Sequence, residues 1–227
     1  MQGVLLVDKP SGWTSFDVVN YVRRAVARVQ GTKPKNTKVG HTGTLDPLAT
    51  GLLVLLIGKD YTRRAGDMSK HDKTYDVTLT LGQTSATGDS EGPLTPVSDV
   101  IPTEEAVRAA LAKFTGDLMQ TPPAFSAKKV GGVRAYQLAR AGEQPVLEPR
   151  PVTIYANDFV DYNYPIVRFT SRVSSGTYIR SLAEDIGREL GSGAYMSALR
   201  RTSVGEYDLA EAVTPDDPEL LAKVFQV

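Results

Sequence analysis

The chain has 227 residues, and its 26 Lys plus Arg are balanced by 26 Asp plus Glu, so the formal net charge is zero. That balance argues against a basic tail or a sequence-blind coat for nucleic acid, while leaving room for a local basic face. With no cysteine there is no disulfide, no thiolate nucleophile and no cysteine-ligated zinc or iron–sulfur centre.

The apolar fraction of 41% supplies a core for one large domain, or for a domain with an appendage. No apolar run approaches the ~20 residues of a membrane span, and Met1–Lys9 lacks the charged start and long apolar stretch of a signal peptide. A soluble cytoplasmic protein is the expectation.

In chain order, Gly3–Val7 predicts a short buried strand, followed by the turn residues Asp8-Lys9-Pro10-Ser11-Gly12. Thr14-x-x-Asp17 has the form of a capping box, and Phe16, Val18, Val19, Val22, Val26 and Val29 recur at helical spacing. A helix of about four turns is expected there. Its other face carries Arg23, Arg24 and Arg28, either a solvated face or a nucleic-acid contact. Residues 31–38 form a basic loop. The unbroken apolar run Leu52–Ile57 predicts a buried strand, and a short helix is expected around residues 60–70. From Lys73 to Gly82 the pattern alternates, with Tyr75, Val77, Leu79 and Leu81 on one face of a half-buried strand.

Residues 84–92 read as an acidic, flexible turn, and Pro102-Thr103-Glu104-Glu105 opens a helix that runs through Phe114 and stops at Gly116. Residues 120–136 predict a long, irregular, basic loop. Pro151–Phe159 and Ile166–Ser174 predict a hairpin, Thr177–Leu190 a helix, Tyr195–Arg200 a short helical turn and Thr202–Tyr207 a last strand. The tail from Thr214, with Leu220, Leu221, Val224 and Phe225, predicts a short docking helix. Strands and helices follow no regular βαβ rhythm, so the expected class is α+β, with a mixed, largely antiparallel sheet flanked by helices.

One stretch stands apart. Gly40-His41-Thr42-Gly43-Thr44-Leu45-Asp46-Pro47-Leu48-Ala49-Thr50-Gly51 crowds three glycines and three threonines around one carboxylate. The glycines disfavour a helix, and Pro47 pushes Asp46 out of the α region. Asp46 therefore sits on a tight loop delivered to the edge of a core strand, a common place for chemistry. On this loop alone it reads equally as an Asx-turn or helix-capping aspartate. Other motifs fail. Gly51 to Gly58-Lys59 has the wrong spacing for a phosphate loop, and Asp60 stands where Ser or Thr would meet magnesium. His41 and His71 lack metal-ligand spacing with another donor, so neither a metal enzyme nor a His-based nucleophile system is expected.

Taken together, five strings resemble the TruB-type tRNA pseudouridine synthases, in the family's order and across nearly the whole chain. They are Gly3–Ser15 with its Asp8-Lys9-Pro10, the Gly40–Gly51 stretch, Lys73-Thr74-Tyr75 with Leu81-Gly82, Gly176-Thr177-Tyr178-Ile179-Arg180-Ser181-Leu182, and Leu199-Arg200-Arg201-Thr202. The resemblance implies a pseudouridine synthase core that isomerises uridine 55 of the tRNA T loop. The C1′–N1 bond breaks and the base is rejoined through C5.

The resemblance makes Asp46 the nucleophile. Attack at C6, attack at C1′ and a glycal route would all use this carboxylate. Arg180 would keep it ionised and oriented. Tyr75 would stack on the flipped uracil, although a strand tyrosine with its ring in the core is the plainer reading. Tyr178 and Leu199 would close an apolar pocket, or are core residues. His41 would fill the gap left by the flipped base, or caps a turn. Lys9 and Pro10 would brace the loop. The glycines of the stretch would leave room for the nucleotide. The basic loop at 120–142 would grip the T stem-loop through Lys128, Lys129 and Arg134, with acid elsewhere, as at Asp89, Glu91, Asp99, Glu104 and Glu105.

The expected organisation is a catalytic domain over residues 1–213 and a docking helix over 214–227, with no PUA module and hence weaker tRNA binding than in longer relatives. Val173-Ser174-Ser175 lacks the Cys and Lys often seen in the arginine motif. No cofactor or metal is expected, because the isomerisation has no net redox or hydrolytic step. The expected partner is the tRNA T stem-loop, bound by a monomer with no membrane and no obligatory protein partner. Two alternatives stand beside this reading: a tRNA folding chaperone with catalysis secondary, and a guide-RNA-dependent synthase subunit.

Overall fold

The structure is a computed structural model and describes residues 1–226. It contains two compact units, Met1–Tyr75 with Leu199–Val227, and Asp76–Ala198. Thirteen strands are described. They begin with β1 (Gly3–Lys9), β2 (Val39–His41), β3 (Thr50–Ile57), β4 (Lys73–Leu81), β5 (Gln83–Ser85), β6 (Leu94–Pro96) and β7 (Gly116–Gln120). Next come β8 (Lys129–Val130), β9 (Val133–Arg134), β10 (Arg150–Asn163), β11 (Ile166–Val173), β12 (Ala194–Val204) and β13 (Tyr207–Asp208). The helices are α1 (Ser15–Val29), α2 (Lys59–Arg63), α3 (Ala65–Met68), α4 (Glu104–Lys113), α5 (Ala135–Arg140) and α6 (Ile179–Glu189). Among the described residues no helix is long and apolar enough to cross a membrane. The class is α+β, with a mixed sheet, as the missing βαβ rhythm predicts.

In the first unit β1 and β3 pair antiparallel from Gly3↔Ile57 to Lys9↔Gly51. Their apolar runs are unbroken because both faces are covered. Leu5, Val7, Leu53, Leu55 and Ile57 pack against Val18, Val19, Val22 and Val26 of α1. The alternate residues Val4, Leu6, Leu52, Val54 and Leu56 pack against Met68, Val204 and Tyr207. Each such aliphatic side chain contributes about 1.5–3 kcal/mol by leaving water. The capping box forms as the sequence predicts, with Thr14 accepting from the Asp17 N–H and Asp17 accepting from the Thr14 N–H.

The second unit orders its strands β4–β11–β10–β7, β4 contributing Asp76–Leu81. β10 is antiparallel to both β11 and β7, with register shifts between Ile154 and Ala156 and between Phe159 and Asp161. Asn157 donates to the Leu111 and Phe114 carbonyls at the end of α4, which satisfies acceptors that a helix terminus leaves open. On β4 the side chains of Tyr75, Val77, Leu79 and Leu81 are all buried, as the alternation predicts.

Four local expectations fail. Tyr195–Arg200 is no helical turn. It lies within β12, an eleven-residue strand that pairs parallel with β3 through Arg200↔Thr50 and Arg201↔Gly51. Around residues 60–70 there are two short helices, α2 and α3, in place of one. The tail forms a 3-10 turn, Leu220–Lys223, rather than an α-helix. It still docks, with Leu220 buried beside α1 and with Phe225 exchanging both main-chain hydrogen bonds with Val4. Lastly, the loop expected as irregular folds into the β8–β9 hairpin, turned by Gly131-Gly132 at positive φ, and then α5.

Candidate active site

β2 and β3 are the two sides of a hairpin, with His41 opposite Leu55, and residues 42–49 are its loop. Asp46 lies on that loop, half-buried. Its neighbours are held from several directions. Ser15, at the start of α1, donates to the Leu45 carbonyl at 3.0 Å and accepts the Leu45 N–H at 2.8 Å. Lys9 is fully buried, and its ammonium donates to the carbonyls of Pro10, Trp13 and Pro47. The Gly12 N–H also reaches the Pro47 carbonyl, at 2.9 Å, and Ser11 reaches that of Leu48 at 3.3 Å. Inside the loop the Ala49 N–H closes a turn on the Asp46 carbonyl at 3.1 Å. The carboxylate is thus carried by a backbone fixed on both sides, as a positioned nucleophile requires.

Arg201, only 1% exposed, holds the base of the hairpin. Its Nε donates to the Leu52 carbonyl at 2.7 Å and its Nη2 to that of Gly43 at 3.0 Å. Gly51 lets this strand come close. Its φ is +97°, and a Cβ there would stand 2.3 Å from the Arg201 carbonyl oxygen. At Gly51, then, the space that a missing Cβ leaves belongs to the protein's own backbone. Arg200 points elsewhere, to a two-pronged ion pair with Asp8 at 2.6 and 3.1 Å.

The electrostatics follow from burial next to these cations. His41 is partly buried, and burial first, then Arg201, lowers its pKa below the ordinary 6.5, so the ring is neutral at neutral pH. Lys73 donates to the Ser69 and His71 carbonyls. Burial and Arg201 bring its amine down to about 8. Tyr75, two residues on, is buried on the same face of β4, and Leu199 is buried on β12.

In the second unit Tyr178 precedes α6 and Arg180 lies in its first turn. Gln120, at the end of β7, places them: its amide donates to the Tyr178 carbonyl at 3.0 Å and accepts the Tyr178 N–H at 2.8 Å. The guanidinium of Arg180, 6% exposed, donates to the carbonyls of Thr87 and Phe125, each at 3.0 Å. It also lies 3.7 Å from the Asp89 carboxylate. Asp89 is therefore not part of a solvated acidic turn. It is 3% exposed and accepts from the Thr87 hydroxyl and the Glu91 N–H. Lys128 is half-buried, while Lys129 and Arg134 are exposed and directly opposite each other on the β8–β9 hairpin. Like charges in that position repel, so the pair favours an anion.

Sequence reasoning gave no individual role to Ser15, Arg201 or Gln120, and counted Asp89 only among the acid away from the basic face. Lys73 did carry a signal, because it falls in register with Tyr75, Val77 and Leu79 on the buried face of β4.

The chain's likeness to known proteins agrees with this arrangement. Residues 29–179 match the TruB family pseudouridylate synthase N-terminal domain, and residues 180–224 match the tRNA pseudouridylate synthase B C-terminal domain. The chain is 47% identical over 216 residues to tRNA pseudouridine synthase B of Burkholderia mallei (strain NCTC 10247), covering 95% of this chain and 68% of that protein. It is 45% identical over 221 residues to the protein of the same name from Dechloromonas aromatica (strain RCB), covering 97% and 71%. Among solved structures, a Cbf5–Nop10–Gar1 complex has a chain 29% identical, with a TM-score of 0.68 over 93% of this chain and 52% of that one. An H/ACA RNP bound to a substrate RNA containing 2′-deoxyuridine has one 26% identical, with a TM-score of 0.69 over 99% and 58%. The chain thus spans about two thirds of these curated relatives and just over half of the structural ones. It belongs to the TruB family of pseudouridylate synthases.

Proposed function

We propose that this protein converts uridine to pseudouridine in tRNA, at position 55 of the T loop, with Asp46 as nucleophile. The observation that carries the reading is the immobilised loop around Asp46, in a chain 47% identical to a tRNA pseudouridine synthase B. A carboxylate attacks only when ionised, and Arg180 is the cation assigned to keep it so. Tyr75 stacks on the extruded uracil, Tyr178 and Leu199 wall the base, and neutral His41 fills the space it leaves. Lys128, Lys129 and Arg134 grip the phosphates of the stem-loop. The reaction detaches uracil from C1′ at N1 and rejoins it at C5; C5 gives up its proton and N1 takes one up, so no proton is gained or lost overall. Nothing is oxidised and no water is consumed, so the proposed enzyme acts without a cofactor. It acts as a monomer in the cytoplasm.

The test is to incubate the purified protein with an unmodified T stem-loop and map pseudouridine along it. One pseudouridine at position 55 is expected, and none with Asp46→Asn. Persistence in that variant overturns the assignment of Asp46. Activity only with an added guide RNA would favour the reading as a guide-RNA-dependent subunit. Loss of tRNA folding on deletion, but not with Asp46→Asn, would favour the chaperone.

A further inference from the structure

From Val18 to Leu45 the chain carries six cations (Arg23, Arg24, Arg28, Lys33, Lys35 and Lys38) and no carboxylate, although its net charge is zero. The fold gathers several of them. Asn20, Arg23, Arg24, Lys35, Thr37 and Lys38 line a groove of about 340 Å³ between α1 and the 3-10 turn Pro34–Asn36.

We infer that this groove is a second RNA site, separate from the β8–β9 hairpin, which takes phosphodiester groups of the substrate backbone.

The turn that forms one wall is held in place. The Thr32 N–H donates to the Ala27 carbonyl at 2.9 Å, the Thr37 hydroxyl lies 3.0 Å from that of Thr32, and the Gly58 N–H fixes the Lys38 carbonyl at 2.8 Å. On the other wall Arg23 is aimed by Asn20 at 2.7 Å and by the Val39 carbonyl at 3.2 Å. Arg24, Lys35 and Lys38 are exposed and make no ion pair among the described residues. Like charges converge there with nothing to neutralise them, so an anion is favoured. Phe16 is exposed beside them, its ring 5.8 Å from the Arg23 guanidinium, and adds a flat apolar surface.

RNA is favoured over an acidic protein by the strand that leaves the groove. β2 runs from Lys38 straight to His41, roughly 10 Å for three extended residues. The groove lies at the open end of this hairpin and the Asp46 loop at its closed end, so an RNA with one nucleotide at the loop can lay phosphates further along its backbone in the groove. The inference rests on the proposed function for the identity of its ligand.

The test uses the whole chain and an unmodified tRNA transcript. One variant combines Arg24→Glu, Lys35→Glu and Lys38→Glu, leaving Arg23 to hold Val39. A control combines Lys70→Glu, Lys113→Glu and Lys223→Glu, which alters the net charge equally at exposed sites elsewhere. The Kd is measured from about 50 to about 300 mM KCl. Each lost phosphate contact removes about 0.7–0.9 from the slope of log Kd against log salt. The groove variant should bind at least about tenfold more weakly at low salt, with a slope smaller by about two, while the control stays near wild type. An unchanged Kd and slope would hand the groove to an acidic partner and overturn the inference, as would an equal loss in the control. Circular dichroism melts verify folding. If the reversal variant is unfolded, the neutral set Arg24→Gln, Lys35→Gln and Lys38→Gln should show the same fall in slope. Wild-type protein that binds the transcript but forms no pseudouridine would sink the proposed function and leave the groove to be judged by its slope.

Discussion

The hydroxyl of Ser15 satisfies both main-chain groups of Leu45, at 2.8 and 3.0 Å. The residue before Asp46 is thereby tied to the first turn of α1, thirty positions away in sequence. Lys9 does the same for Pro47 on the other side.

Removing that hydroxyl in Ser15→Ala leaves a buried peptide unpaired, at a cost of about 1–3 kcal/mol in a urea titration. The loosened loop should also slow pseudouridine formation, by up to about 100-fold under single-turnover conditions. A variant that loses stability but keeps its rate would mean that Lys9 and Gly12 alone set the position of Asp46.

Gly51→Ala is expected to be far worse than its one methyl group suggests. The new Cβ meets the Arg201 carbonyl at 2.3 Å, and the positive φ disfavours any side chain. A Cβ is fixed rigidly to its own main chain and the atoms it meets are backbone, so β3 and β12 must separate. A loss above about 3 kcal/mol, or failure to accumulate as folded protein, is the expected result. A melting temperature within a few degrees of wild type would refute the close approach.

Lys73 gives the fold a signature at alkaline pH. Its folded pKa is lowered to about 8 from 10.5, with burial the largest cause. Between those values the unfolded chain holds the proton that the folded chain has lost, so unfolding takes up a proton and stability rises with pH. Below about 8 both states are charged and the burial penalty is fully felt. Urea stability of wild type should therefore climb more steeply from about pH 8 to about pH 10 than that of Lys73→Met. His41 has the same sign at lower pH. Its pKa is lowered from 6.5, so its stabilising contribution is complete above that value and is lost as the pH falls through the folded pKa. His41→Gln should flatten the acid limb.

Gln120 makes two hydrogen bonds to the peptide of Tyr178 and is 5% exposed. Gln120→Leu should cost about 1–3 kcal/mol and lower kcat, because the turn bearing Arg180 loses its tether. Gln120→Glu keeps the acceptor for the Tyr178 N–H but buries a carboxylate against the Tyr178 carbonyl, so it should lose stability as well. Equal kcat for wild type and the Leu variant would make Gln120 a packing residue only.

Where signals were local, the sequence was legible. Thr14 and Asp17 announce their helix because a capping box is made within four residues, and Tyr75, Val77, Leu79 and Leu81 announce a strand by alternation. The stretch around Asp46 was legible as a fixed loop for the same reason. Residues 195–200 misled because Ala, Met, Leu and Arg are good helix formers, and the pairing of Arg200 and Arg201 with Thr50 and Gly51 overrides that preference from 150 residues away. Asp89 looked like part of a solvated turn, and its encounter with the distant Arg180, added to its hydrogen bonds from Thr87 and Glu91, makes burial tolerable. Ser15 and Gln120 act on peptides 30 and 58 positions distant, and no local pattern encodes such a bond.

Val4 exchanges both main-chain hydrogen bonds with Phe225, and Val213 bonds to Leu6 and Asp8. The unit that carries Asp46 is thus sewn together from two segments that are far apart in sequence, whereas Asp76–Ala198 is one uninterrupted segment. On a translating ribosome the uninterrupted segment has its own partners as soon as it emerges, and domains generally fold as units. The Asp46 unit must wait until Val213 and Phe225 have been released. A polypeptide that stops short of Val213 would therefore hold the Asp46 loop without the two segments, at Val213 and Phe225, that hydrogen-bond to β1.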